Sequence, residues 1–152
     1  MSEALISAPD LTQRPPRSPR TRLGGYALLP RMLDKCRATL VGKQGSYHFN
    51  CPLDQRLLEF AGVSAEAIKA EVAKGAGDGD ILEWIEKNSV HQRLPHEILA
   101  WSAWEGDRAP SEIDVREFFH GLHKELAPNR GDIATWADML DVDDFVSFGG
   151  KA

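Results

Sequence analysis

Cysteine is scarce in this chain: Cys36 and Cys51 are the only two in 152 residues. Two thiols are too few for a disulfide framework. Long apolar runs are missing as well, and no stretch approaches the ~20 residues that a membrane helix requires. The opening residues, MSEALISAPDL, lack the basic start and apolar run of a secretory leader. The expectation is a reducing, cytoplasmic setting with no membrane partner. Convincing two-residue alternation is also absent, which argues against a half-exposed sheet. So are the phosphate loop G-x-x-x-x-G-K-S/T, the G-x-G-x-x-G turn, the G-x-S-x-G elbow and a paired Cys-x-x-Cys. Gly75, Gly77 and Gly79 follow no predicted strand and stand among aspartates, a poor phosphate cradle. No catalytic residue, metal or cofactor is assigned, and the sequence names no reaction.

What is present describes a helical domain. The chain is 42% apolar and 27% charged, an ordinary globular mixture, and its length suits one domain. Net charge is −5, unevenly spread. Residues 1–43 carry eight Lys/Arg against three Asp/Glu, a net +5; residues 44–152 carry ten against twenty, a net −10. Either the basic part meets an anionic ligand, or it packs across the acidic body and is neutralised there. Nucleic acid is not expected as a partner, because no basic, aromatic-interleaved surface is evident.

Residues 1–22 read as an extended basic arm packed on the domain, since Pro9, Pro15, Pro16 and Pro19 each fix φ and remove a donor. Residues 23–152 read as a single helical domain. From about Ala27 to Val41, Leu29, Leu33, Cys36 and Leu40 form an i, i+4, i+7, i+11 stripe. Gly42 and Gly45 end that helix, and Ser46–Phe49 reads as a brief extended segment. Pro52 opens a helix to about Ala61, stopped by Gly62. Ser64 caps another to about Lys74. Asp78 or Asp80 starts a fourth bearing Ile81, Trp84 and Ile85, and Pro95 a fifth with Ile98, Leu99 and Trp101. Ser111 caps a longer one to Leu126, with Ile113, Val115, Phe118, Phe119 and Leu122 mostly inward. Asp132 or Thr135 begins a last short helix with Trp136, Met139 and Leu140. The fold class is therefore all-α: a compact bundle of six to seven short helices, with room for one short β element.

Five segments carry a family resemblance: PDLTQRPPRSPR (9–20), LGGYALLPRMLDKCRA (23–38), YHFNCPLDQRLLEF (47–60), WSAW (101–104) and TWADMLDVDD (135–144). The chain resembles the uncharacterised domain-of-unknown-function family numbered 5069. The resemblance implies a mostly bacterial, cytoplasmic domain with no assigned activity, and it supplies no catalytic residue. It also implies that the arm belongs to the fold.

Candidate binding groups concentrate in residues 23–55. Arg31, Asp34 and Lys35 share one side of the first helix; they could hold an anionic group, or pair locally on a solvated face. Tyr47, His48 and Asn50 precede Cys51, which would be the N-cap of the Pro52 helix. Asp54 at the third helical position can reach back to a free N–H. A thiol there can be acidified by the helix dipole, but cysteines are more often buried and inert. Pro16–Arg17–Ser18–Pro19 formally reads as a PxxP ligand, and the arm's arginines match phosphate or carboxylate. His120 and His123 have helical metal spacing without an obvious third ligand. The best functional reading is binding of a small anionic molecule at the 23–55 corner through Arg31, Asp34, Lys35, Tyr47, His48, Asn50, Cys51 and Asp54. The alternative is a structural or protein-interaction module without chemistry.

Overall fold

A helix whose apolar stripe and charged side are both covered organises the molecule. In the computed structural model, which describes residues 6–152, ten consecutive residues of α1 (Leu29–Leu40), from Leu29 to Ala38, are buried. Before it runs a two-stranded antiparallel hairpin, β1 (Arg22–Leu23) and β2 (Tyr26–Ala27). Arg22 pairs with Ala27 and Leu23 with Tyr26. The turn residues Gly24 and Gly25 have φ of 56° and 85°, the left-handed values that such a tight turn demands. After α1 come α2 (Pro52–Ala61), α3 (Ala65–Ala73), α4 (Asp78–Asn88), α5 (Pro95–Asp107), α6 (Ile113–Leu126) and α7 (Trp136–Ser147). The described residues thus form seven helices and one small β element, an all-α architecture.

Local chemistry sets most of the boundaries. Pro52 occupies the first turn of α2, and Gly62 at φ 76° closes it. Ser64 Oγ accepts the Ala67 N–H at 3.1 Å to start α3. Thr135 Oγ1 accepts the Asp138 N–H at 3.1 Å, while Asp138 accepts the Thr135 N–H at 2.9 Å, a reciprocal cap for α7. At α4 the capping residue is Gly77, whose N–H donates to Asp80 at 3.0 Å.

Three expectations need correction. Ser46–Phe49 is a run of turns and not an extended piece; the β element lies earlier, at residues 22–27. Gly45 and Asn50, at φ 58° and 64°, turn the chain at either end of that segment. On α6, Ile113 and Phe118 face outward, 73% and 62% exposed, and Phe119 alone is buried. Among the described residues that helix packs mainly on α7. Its cap is Glu112, one residue past Ser111.

The larger apolar cluster joins α1 through Leu29, Met32, Leu33 and Cys36 to Leu57, Ile68, Val72, Ile81 and Ile85. A smaller one gathers Phe119, Ile133, Met139 and Val142 under α6 and α7. The arm crosses this body and is tied down. Leu11 N–H donates to Lys43 C=O at 2.9 Å, and Leu28 N–H to Pro19 C=O at 3.2 Å. Pro16 and Pro19 are buried. The first five residues of the arm lie outside the described residues.

Candidate functional site

The charged side of α1 meets a different carboxylate at each turn. Arg31 and Asp144 of α7 form a two-pronged pair, Nη1 to Oδ2 at 2.7 Å and Nη2 to Oδ1 at 3.3 Å, with side chains 6% and 8% exposed. Arg31 also donates to the Arg17 carbonyl at 3.2 Å. The Tyr47 hydroxyl donates to Asp144 Oδ1 at 2.7 Å, and the Arg31 guanidinium lies 5.6 Å from the Tyr47 ring centre. Burial, then the bond to Asp144, pushes the Tyr47 phenol above its ordinary value. It is therefore a neutral donor, as a carboxylate partner requires.

One turn on, Lys35 Nζ sits 3.0 and 2.9 Å from the two oxygens of Asp54 and 3.4 Å from Cys51 Sγ. Asp54, 2% exposed, also accepts the Asn50 N–H at 3.0 Å. Asp34 turns the other way, to the arm. It accepts Arg17 N–H at 2.9 Å, Nε at 3.1 Å and Nη2 at 3.0 Å. Arg17 Nη1 reaches on to Asp78 at 2.8 Å, and Arg37 reaches Asp78 at 2.7 Å. The Arg17 bond, and more weakly that of Arg37, holds the Asp78 carboxyl below the usual carboxylate range. Farther along the arm, Arg20 pairs with Asp138 and Asp141, and Ser18 Oγ donates to Asp141 at 2.7 Å.

The candidate set thus divides. Arg31 and Tyr47 meet over Asp144; Lys35, Asn50, Cys51 and Asp54 form a second knot; Asp34 belongs to the arm; His48 stands exposed, apart from all of them. Arg31, Asp34, Lys35 and Arg37 are buried, so the picture of locally paired charges on a solvated helix face does not hold. Sequence reasoning missed Asp144, Arg17 and Asp78 as the partners. A signal existed for α7: Asp138, Asp141 and Asp144 recur every third residue, so they line one edge of that helix. Arg20 and Arg31 meet this edge. Cys36 lies in the apolar cluster, where burial pushes its thiol up to about 11. Among the described residues no three His, Cys, Asp or Glu side chains converge as a metal site, and the His123 ring rests on the Arg130 carbonyl.

The family model for a domain of unknown function, DUF5069, matches residues 13–146. The chain belongs to this family. No curated protein matches it. The matched stretch takes in the arm from its arginines onward and ends just past Asp144, so every ion pair of the corner falls within the DUF5069 domain. Among the described residues no helix is long and apolar enough to cross a membrane.

Proposed function

We propose that this DUF5069 chain is a binding module without chemistry of its own, and that its 23–55 corner is a structural clamp. One observation carries the reading: each cation offered by α1 already has a carboxylate within 3.0 Å, and the pairs at Arg31 and Lys35 are closed off from water. An incoming anion would have to displace a buried aspartate, leaving that charge without a partner at a cost of several kcal/mol. The clamp joins four separate parts, namely the arm, α1, the turn before α2, and α7. A reducing, cytoplasmic setting goes with this proposal, supported by two free thiols, and a bacterial origin is proposed from the family resemblance alone.

The rival reading, a small anionic ligand held by Arg31 and Lys35 with His48 and Asn50 at its mouth, meets the same experiment. Thermal-shift titration with small carboxylates and phosphates should find no stabilisation that depends on Arg31 or Lys35. Arg31→Met and Lys35→Met should lower Tm in the absence of any ligand. A stabiliser whose effect vanishes in both variants would return the corner to the rival reading.

A further inference from the structure

A cleft of about 260 Å³ shares none of the ion-paired residues of the clamp. It lies between the Gly24–Gly25 turn and the connection from α4 to α5, and Tyr26, Glu86, Gln92 and Arg93 give it polar walls. Ile85, Pro95 and Ile98 give it apolar ones.

Its guanidinium is set in place before any ligand arrives. Arg93 Nε donates to the Phe60 carbonyl at 3.1 Å, and the guanidinium carbon lies 4.4 Å from the Phe60 ring centre. Phe60 in turn stacks on Trp101 at 4.8 Å, with 7° between the planes. A three-layer stack therefore fixes the fork, while both terminal nitrogens of Arg93 lack a partner among the described residues. Fixing a guanidinium in this way removes much of the ordering cost of binding an oxyanion.

Tyr26 supplies the independent observation. The residue is only 4% exposed, yet it lines the cleft, and its hydroxyl makes no hydrogen bond to another described residue, which leaves it free to donate to an occupant of the cleft. Arg93 and Glu86 line the same cleft as this phenol, whose pKa is raised chiefly by burial. The wall is also shaped closely. A Cβ on Gly24 would come within 2.5 Å of Leu82, and Gln92 holds φ 49° while its amide donates to the Ser89 carbonyl at 2.9 Å.

We propose that this cleft binds a small zwitterion of the amino-acid class, its carboxylate on Arg93 and the Tyr26 hydroxyl, its ammonium toward Glu86, and its side chain over Ile85, Pro95 and Ile98. One fixed cation and one carboxylate make the walls neutral overall, which suits a ligand carrying one charge of each sign. A phosphate dianion would face Glu86 with nothing to offset it. The cleft is small against the range of about 300–1,000 Å³ typical of larger ligands, which favours a small molecule.

The proposal is tested on the full chain by calorimetric titration with the standard amino acids to about 10 mM, followed by the des-amino and des-carboxy analogues of the best binder and by inorganic phosphate. One amino acid should bind, and each analogue should bind about tenfold more weakly, as loss of a charge-assisted contact implies. Arg93→Gln should abolish binding and Tyr26→Phe should weaken it. Glu86 is exposed, so Glu86→Gln keeps the fold; it should weaken the amino acid while leaving its des-amino analogue unchanged. No binder in the panel, equal binding by the des-amino analogue, or preference for phosphate would overturn the assignment. Arg31 and Lys35 enter neither arm, so failure here leaves the reading of the clamp untouched.

Discussion

Arg31 pairs with Asp144 in a place where water cannot screen either charge. Such a pair need not stabilise the fold relative to apolar side chains, but breaking one half of it is costly. Arg31→Ala should destabilise by about 3–5 kcal/mol, because Asp144 is left buried and Tyr47 cannot neutralise it. Arg31→Met combined with Asp144→Leu should recover most of the loss. Urea midpoints of the two singles and the double form the test, and additive losses would show that the two groups are not coupled. Asp78 gives a prediction in pH. Its carboxyl is held below the unfolded value chiefly by Arg17, so the folded state binds its proton less readily. That contribution is whole above roughly pH 4–5, where an unfolded aspartate is already ionised, and it drains as pH falls through the lower folded pKa. Asp78→Asn should therefore flatten the acid limb of stability against pH. An unaltered acid limb would mean that Arg17 and Arg37 do not favour the ionised form.

The hairpin is held to α5 by one hydroxyl. Ser102, 1% exposed, accepts the Ala27 N–H at 2.9 Å and donates to the Gly25 carbonyl at 2.7 Å. Ser102→Ala leaves the buried Ala27 N–H and the half-buried Gly25 carbonyl without this partner, so a loss of about 1–3 kcal/mol is expected, read as a lowered denaturant midpoint at constant slope. A midpoint within error of wild type would mean that the strands do not rely on this bridge. Elements were legible where a residue fixes its own backbone. Pro52 and Gly62 bracket α2, and Ser64 and Thr135 cap α3 and α7. The hairpin was not legible, because two residues per strand are too few to show alternation. Nor was the start of α1, where Leu28 takes φ 71° although nothing in a leucine asks for it. The apolar residues of α6 read as mostly inward, but periodicity cannot say whether another layer covers them, and Ile113 and Phe118 lie open. The clamp hid for a related reason: i, i+4 spacing shows which charges are neighbours on a helix, while their actual partners lie up to 113 residues away.

At the scale of the whole molecule, the arm is a strap between the two apolar clusters. Arg17 ties it to α1 and α4, and Ser18 and Arg20 tie it to α7. Removing both guanidiniums, in Arg17→Ala with Arg20→Ala, should free the strap while the larger cluster stays folded. Trypsin would then cut after Arg22 at a rate the wild-type chain does not show, with mass spectrometry locating the nick. Equal resistance in the two proteins would mean that the buried Pro16 and Pro19 hold the strap by themselves. The long reach from Arg31 to Asp144 also constrains birth on the ribosome. The two residues are 113 apart in the chain, so at about 5–20 residues per second the guanidinium waits roughly 6–23 s for its carboxylate to be synthesised. Until α7 leaves the exit tunnel, the first helix cannot settle in its native surroundings, so this domain closes late, only once its seventh helix has been made.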